Sequence, residues 1–349
     1  MKGHGMGGAI RITLGLQGGG AHGAFTWGVL DRLLDAEEIE IAGISATSAG
    51  ALNGAALKAG LIEGGRAGAR RNLDWLWQQV GALRNEALAG WMSAASPEAG
   101  ILSDLVELSP GFNLADGVAR MLSPYGLPMD NPLRRIVRRF HWASVCADDG
   151  PALYVCATNV RTGKIRVFEG DEICTDTILA SACLPTLFRA VEWDDPRTGR
   201  REAFWDGGYT GNPALFPLFD PALPDDIVVV NINPLHRERV PVTARDIQNR
   251  INEISFNAAL LRELRAIAFA KRLIAEGRVE HDAMKDVRLH MIADDALMTQ
   301  LSVATKLVPT PVVLHRLKAA GRAAASAFLD AHAADLGRRG SVDLPATFG

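Results

Sequence analysis

The sequence predicts an α/β fold with a mostly parallel central sheet, and two strand–helix units near its start carry this prediction. Residues 9–16, AIRITLGL, form an apolar run typical of a strand buried on both faces. Residues 24–36 then place apolar side chains at helical spacing. A second strand over 39–45 and a second helix over 49–60 repeat the order. Strands that alternate with helices favour a parallel sheet.

The rest of the chain adds more strands and a helical end. We predict strands over 152–158, 164–168, 201–205, 226–232 and 287–292, and helices over 244–277 and 310–335. The segment from about 62 to 142 is helical and irregular in pattern. Because strands flank it on both sides, we expect a single domain over 1–349. Its core spans about 10–235, and a helical C-terminal extension spans about 244–335.

Composition limits the class of protein. The 349 residues are 48% hydrophobic and 22% charged, which is enough to bury a sizeable core. The net charge of −3 provides no overall basic field for nucleic acid. Neither a secretory signal nor a membrane-spanning run is evident, so we expect a soluble, cytoplasmic protein. The four cysteines lack zinc-site spacing, and we expect reduced thiols in or near the core.

A glycine-rich loop, GGGAHG at 18–23, follows the first strand and precedes the first helix. Gly18, Gly20 and Gly23 fit the G-x-G-x-x-G pattern of dinucleotide-binding loops, and Glu40 follows roughly where a ribose-binding acid is expected. Consecutive glycine amides beside a helix N-terminus can equally stabilise an oxyanion. A tight turn without any ligand is the third interpretation. The glycines alone leave all three open.

A serine turn, ATSAG at 46–50, joins the second strand to the second helix. Ser48 is placed there like a nucleophile on a sharp strand-to-helix turn, for which the usual pattern is G-x-S-x-G. Ala46 stands where that pattern has glycine, so the match fails by one methyl group. A helix N-cap explains a serine or threonine at this junction equally well.

A nucleophilic serine needs a base, and the chain offers two kinds. His290, late in the chain, is the one histidine that suits the order of an α/β-hydrolase triad, although an ordinary strand histidine is the favoured interpretation. Asp206 follows the predicted strand 201–205 directly and precedes two glycines. A carboxylate held there beside a hydroxyl in a dry site can also act as the base. Asp-Gly is, however, a common turn dipeptide.

Three short motifs stand in one order: GGGAHG at 18–23, ATSAG at 46–50 and DGG at 206–208. Together they resemble the patatin-like phospholipase family, whose pattern is a G-G-G-x-R/K-G loop, a G-x-S-x-G turn and a later D-G-G/A. The resemblance covers roughly residues 10–235. The wider stretches TSAGALNG and DGGYTGNP are also typical of the family.

The resemblance implies a three-layer α/β/α sandwich related to the α/β-hydrolases. It implies hydrolysis of acyl esters, typically of lipids, through an acyl-enzyme. Ser48 matches the nucleophile and Asp206 the base, while the amides of Gly18, Gly19 and Gly20 match the oxyanion hole. The resemblance implies neither a metal nor an organic cofactor, and the expected partner is a lipid ester rather than nucleic acid.

Two departures from the family pattern keep alternatives open. Ala46 replaces a glycine of the serine turn, and His22 replaces the basic residue of the glycine loop. One alternative is a non-catalytic lipid-binding protein of the same family. The other is a dinucleotide-dependent oxidoreductase that uses the loop Gly18–Gly23.

Two segments are compatible with contact to a lipid surface. Residues 131–142, NPLRRIVRRFHW, form a basic amphipathic stretch that would suit an anionic bilayer. A core-facing helix with a solvated charged face is the favoured interpretation. Residues 90–100, with Trp91 and Met92, are either a lid loop or a simple connection. Peripheral membrane attachment is therefore an open expectation.

Overall fold

The computed structural model describes residues 9–81, 131–280 and 283–348, together with residues 101, 103, 105 and 108–110. Its centre is an eight-stranded sheet. The strands are β1 Ile10–Leu16, β2 Ile39–Thr47, β3 Ala152–Asn159, β4 Ile165–Glu169, β5 Val191–Asp195, β6 Arg200–Asp206, β7 Asp226–Val230 and β8 Arg288–Ile292.

Helices connect and flank the strands. Within the described residues they are α1 Gly23–Leu33, α2 Ala49–Gly81, α3 Leu133–Val137, α4 Trp142–Val145, α5 Thr175–Ser181, α6 Ala244–Ala275, α7 Asp295–Met298, α8 Val303–Leu307, α9 Pro311–His332 and α10 Leu344–Phe348. Helix α2 is kinked where Gly64 and Gly65 leave helical geometry. Short 3-10 turns at Gly20–His22 and Gly207–Tyr209 follow the ends of β1 and β6.

The sheet is mixed. Strands β3, β2, β1, β7 and β8 lie side by side and run parallel, whereas β4, β5 and β6 join antiparallel at one side. The α/β prediction is confirmed, and its parallel part corresponds to the strands that alternate with helices. Short connections join β3 to β4, over residues 160–164, and β5 to β6, over residues 196–199, and such connections suit antiparallel pairing.

Side chains alternate between two cores along the strands. Val228 and Val230 belong to the larger core, which includes residues of α1, α2, α5 and α9. Ile227 and Val229 point to the other face and pack with Leu260 and its neighbours on α6. Successive strand residues face opposite sides of a sheet, so helices cover both faces and the structure has three layers.

The register of β3 brings two distant strand ends together. β3 pairs with β2 over residues 152–156 and with β6 over 157–159. Residues 154–158 pair with β4 throughout, so β4 occupies one edge of β3 while β2 and β6 share the other. Because β2 runs parallel to β3 and β6 runs antiparallel, their carboxyl ends meet head to head. The last residue of β2, Thr47, pairs with Cys156, and the last residue of β6, Asp206, pairs with Ala157.

Most predicted elements are present with bounds that differ by one to three residues. The second helix is longer than predicted, because it continues through its kink to Gly81. Strand β5 and helix α5 were not predicted from the sequence. Both are short, and β5, with the sequence VEWDD, is too polar to resemble a core strand.

The segment 131–142 faces the core. Val137 and Phe140 are buried, while Leu133 and Ile136 pack against the larger core. The core-facing interpretation is therefore confirmed. The segment 90–100 lies outside the described residues. No helix within the described part of the chain is long and apolar enough to cross a bilayer.

All four cysteines are free thiols. Cys156 and Cys183 are buried, and Cys146 is half-buried. Cys174 is exposed, so the expectation of a location in or near the core is wrong for this residue. It stands at the N-terminus of the short helix α5.

Candidate active site

Ser48 occupies the turn between β2 and α2. Its backbone φ is 54°, and among the described residues it is the one non-glycine residue in the left-handed region. For an L-residue this conformation costs about 1–2 kcal/mol. Its carbonyl accepts the first helical hydrogen bond, from the Leu52 N–H at 3.1 Å. The turn therefore holds a serine in a strained conformation at a helix N-terminus, a combination associated with nucleophiles.

Asp206 ends β6 and is almost completely buried. Burial raises the pKa of its carboxyl from the ordinary 3.8 to about 7, because a charge in a dry environment is poorly solvated. Hydrogen bonds from the Gly208 N–H, at 2.8 Å, and from the Ser48 side chain oppose this rise. The structure thus brings together Ser48 and Asp206, which lie 158 positions apart in the sequence.

The alanine in the serine turn lies within a regular strand. Ala46 pairs with Leu16 on β1 and with Val155 on β3. The left-handed backbone conformation falls on Ser48, two residues later. A methyl group at Ala46 is therefore compatible with the observed turn. Next to the turn, the Ser48 N–H donates to the Ser181 hydroxyl at 2.9 Å, which ties the turn to α5.

The glycine loop lies directly against Ser48. A Cβ atom at Gly18 would come within 2.6 Å of the Ser48 Cβ, so only glycine fits this approach. The Gly18 N–H donates to Asn212 Oδ1 at 2.6 Å. The N–H groups of Gly19, Gly20 and Ala49 have no hydrogen-bond partner among the residues described. Three backbone donors are thus left available: Ala49, directly after Ser48, and Gly19 and Gly20, directly after the glycine that lies against it.

The chain is similar to a known protein family. The family model of the patatin-like phospholipases matches residues 14–219, more than half of the chain. The chain belongs to the patatin-like phospholipase family. This membership supports activity as a lipid acyl hydrolase. A search of curated protein sequences gives no match.

Two solved structures are similar to this patatin-like protein at low identity. VipD from Legionella pneumophila is 15% identical with a TM-score of 0.42, over 93% of this chain and 67% of VipD. The second is a chain of the heterodimeric complex ExoU-SpcU from the type III secretion system of Pseudomonas aeruginosa. It is 14% identical with a TM-score of 0.33, over 98% of this chain and 75% of that chain.

The residue that departs from the family's glycine-loop pattern, His22, is a neutral imidazole. Burial, together with the charge of Lys306, holds its pKa well below the ordinary value. His22 Nε2 lies 2.9 Å from the Thr305 hydroxyl, which donates to the Ser302 carbonyl at 2.7 Å. Thr305 therefore accepts, and Nε2 carries the proton. The cation that faces the loop comes from Lys306 instead.

A buried polar network that sequence reasoning missed supports the loop. Gln17 Oε1 accepts from the backbone N–H groups of Ile232 and Asn233, at 2.8 and 3.0 Å. Its Nε2 donates to the Asn212 carbonyl at 3.1 Å. These polar residues follow β1, β6 and β7, and the carboxyl ends of sheet strands are where α/β proteins place their sites. That position was the signal available in the sequence. Ser181 carried no such signal.

Two residues considered from the sequence lie elsewhere. His290 bonds Asp226 Oδ1 through Nε2, at 3.1 Å, and the Ser341 hydroxyl through Nδ1, at 3.0 Å. Asp226 begins β7, at the sheet end opposite to Ser48, so His290 is the structural histidine that was favoured. Glu40 is exposed near the start of β2 and pairs with Arg11 at 3.1 Å. The glycine loop follows the carboxyl end of β1, at the other end of the sheet. The expectation that Glu40 stands roughly where a ribose-binding acid would lie is therefore wrong.

Proposed function

We propose that this protein hydrolyses lipid acyl esters with Ser48 as nucleophile and Asp206 as general base. The observation that carries the proposal is the buried Asp206 carboxyl, hydrogen-bonded to the Ser48 side chain, with a pKa of about 7. A base is most effective when its pKa is near the working pH, since it is then both largely ionised and able to hold a proton. An ordinary aspartate would be a much weaker base.

The first half-reaction forms an acyl-enzyme. As Ser48 Oγ attacks the ester carbonyl carbon, its proton moves to the Asp206 carboxylate. The tetrahedral intermediate collapses, the bond to the leaving alcohol oxygen breaks, and Asp206 returns the proton to that oxygen. The left-handed turn supports this role, because it sets the direction in which the Ser48 side chain leaves the backbone at the helix N-terminus.

Backbone amides would stabilise the oxyanion. Among the three glycines matched from the family, Gly18 already donates its N–H to Asn212, and its close contact with Ser48 gives it a steric role. We assign the donor role to the N–H groups of Gly19, Gly20 and Ala49. Ala49 follows Ser48 in the chain, Gly19 and Gly20 follow Gly18, which lies against Ser48, and none of the three N–H groups has another partner among the described residues. Each such donor contributes about 10²–10³-fold in rate.

The second half-reaction uses water. Asp206, deprotonated again, takes a proton from a water molecule whose oxygen attacks the acyl carbon. The same amides hold the second oxyanion, and the Ser48 oxygen leaves with the proton from Asp206. In both half-reactions Asp206 accepts one proton and returns it, so the enzyme ends in the state in which it began.

We also propose that the C-terminal extension acts with the core as one domain. Strand β8 extends the central sheet by pairing with β7, so the extension is not purely helical. Helix α8 reaches the glycine loop, where the Lys306 carbonyl would collide with a side chain at Gly20. These contacts make the loop's position depend on the extension.

An ester-hydrolysis assay tests the proposed pair. Wild type, Ser48→Ala and Asp206→Asn are compared on nitrophenyl esters of increasing chain length and on phospholipid vesicles. Each substitution should lower kcat/KM by at least about 10³-fold, since the nucleophile and its base act as a unit. Ser255→Ala serves as the matched control, since Ser255 is a half-buried serine on α6 whose hydroxyl donates to the Ile251 carbonyl at 2.8 Å. His290→Ala should keep most of the activity per folded molecule.

Covalent labelling separates an enzyme from a lipid-binding protein. A fluorophosphonate should modify Ser48 stoichiometrically in wild type and in Ser255→Ala, as located by mass spectrometry. Asp206→Asn should be labelled far more slowly. Absence of labelling together with absence of hydrolysis would refute the proposal, as would activity that survives in Ser48→Ala.

A further inference from the structure

We propose that Lys306 is a positioning residue that strengthens the oxyanion hole through Asn233 and the peptide group between Gly18 and Gly19. This inference rests on the proposed function. Lys306 is far from the three motifs in the sequence, on the short helix α8 of the C-terminal extension.

The geometry is a chain of hydrogen bonds. Lys306 Nζ donates to Asn233 Oδ1 at 2.9 Å. Asn233 Nδ2 donates to the Gly18 carbonyl at 2.9 Å. That carbonyl and the Gly19 N–H belong to one planar peptide group, and in a trans peptide they point in opposite directions. Withdrawing electron density at the Gly18 oxygen makes the Gly19 N–H a stronger donor.

Asn233 is held in the orientation that this chain requires. Its backbone N–H and its Nδ2 both donate to Gln17 Oε1, at 3.0 and 3.1 Å. The Lys306 ammonium can only donate, so the atom of the Asn233 amide that it meets must be the acceptor Oδ1. The other atom of the amide is then the donor Nδ2. Hydrogen bonds linked in this way polarise one another, by about 10–30% per bond.

The charges around Lys306 favour an effect on the loop. Glu253, the acid that faces it, is already paired with Arg237 at 2.6 Å and with Arg250 at 3.2 Å. His22, on the loop side, is neutral. The positive charge of Lys306 is therefore not cancelled by its neighbours.

The ammonium is also titratable in an accessible range. Burial lowers the pKa of Lys306 to about 8, Glu253 raises it and Arg237 lowers it. The group is charged below pH 8 and neutral above it. If the charge strengthens the oxyanion hole, activity falls as the pH rises through 8.

The pH dependence of kcat tests the inference, with nitrophenyl ester hydrolysis measured from pH 5 to 10. Wild type should rise near pH 7, as Asp206 ionises, and then fall about tenfold around pH 8. Tenfold is a fraction of the 10²–10³-fold cost of deleting a donor, because here the donor is weakened and not removed. Lys306→Met should start about tenfold low at pH 7.5 and lack the falling limb. Lys306→Arg, which stays charged throughout this range, should match wild type at pH 7.5 and keep that activity up to pH 10.

Two further variants separate positioning from structural damage. Asn233→Asp keeps a partner for Lys306 but cannot donate to Gly18, so it should lose at least as much activity as Lys306→Met. Lys285→Met is the matched control. Lys285 is another lysine whose pKa is lowered by burial, and it donates to the carbonyls of Leu218, Asp220 and Leu223. This variant should keep the falling limb.

Three outcomes would overturn the inference while leaving the proposed function standing. They are an active wild type without a falling limb, a limb that persists in Lys306→Met, and a limb that is also absent from Lys285→Met. If Lys306→Met does not fold, the comparison of wild type with Lys306→Arg decides alone. A wild type that cleaves no ester and is not labelled at Ser48 refutes the proposed function and this inference together.

Discussion

Asp206→Asn should abolish hydrolysis and at the same time stabilise the fold, increasingly so at higher pH. Burial raises the pKa of Asp206 to about 7 in the folded protein, against about 3.8 for the ordinary group that the unfolded chain resembles. An acid whose folded pKa is raised binds its proton more tightly when folded. The folded state therefore loses stability as the pH rises from 3.8 through 7.

The magnitude follows from the size of this shift. One pKa unit corresponds to 1.36 kcal/mol, so about three units cost wild type about 4 kcal/mol at pH 8 and about 2 kcal/mol at pH 5. Asparagine carries no charge and avoids this cost, and its amide oxygen can still accept from the Gly208 N–H. The advantage of the variant should thus grow by about 2–3 kcal/mol between the two pH values.

Urea unfolding of wild type and Asp206→Asn at pH 5 and pH 8 measures this difference. Asp226→Asn is the control of opposite sign. Burial acts to raise the pKa of Asp226, but hydrogen bonds from His290, Gly337 and Arg288 outweigh it, and the pKa is lowered. Asp226→Asn should therefore be destabilising by a similar amount at pH 5 and pH 8, because both lie above the ordinary pKa of 3.8. An Asp206→Asn variant that is less stable than wild type at pH 8, or that shows an equal difference at both pH values, would refute the reasoning.

Three further substitutions test the turn and the loop. Gly18→Ala should lower kcat/KM by at least about 10²-fold in a folded protein, because the new methyl group would meet the Ser48 Cβ at 2.6 Å; normal kinetics would contradict this packing. Ser181→Ala removes the hydroxyl that accepts from the Ser48 N–H and should reduce kcat about fivefold, for the loss of about 1 kcal/mol; an unchanged kcat would show that this bond does not hold the turn. Ala46→Gly should leave kcat unchanged and lower the free energy of unfolding by about 0.5–1 kcal/mol, as glycine does within a strand; a clear gain in kcat would show that the methyl group strains the turn.

Local patterns in the sequence were sufficient for most elements and for the two central residues. The apolar run of β1 and the helical spacing of α1 are short-range patterns that a window of about ten residues displays. Ser48 and Asp206 stand beside glycines at strand ends, where turn chemistry is visible in the residue types. Strand β5 and helix α5 were missed because short elements with polar residues carry little periodic signal.

Pairings between distant segments were decided only by the tertiary structure. The sequence does not state that β2 and β6 share one edge of β3, and this register is what places Asp206 against Ser48. The pKa of Asp206 depends on the atoms packed around it, which come from several parts of the chain.

The charges around the glycine loop could likewise not be predicted from the sequence. His22 alone predicts a change of charge beside the loop, yet burial leaves it neutral and Lys306 supplies the cation. The sequence therefore determined which groups are present and the local turns that carry them. The fold decided which groups meet and in which protonation state, because solvation and distance are set by contacts between residues far apart in the chain.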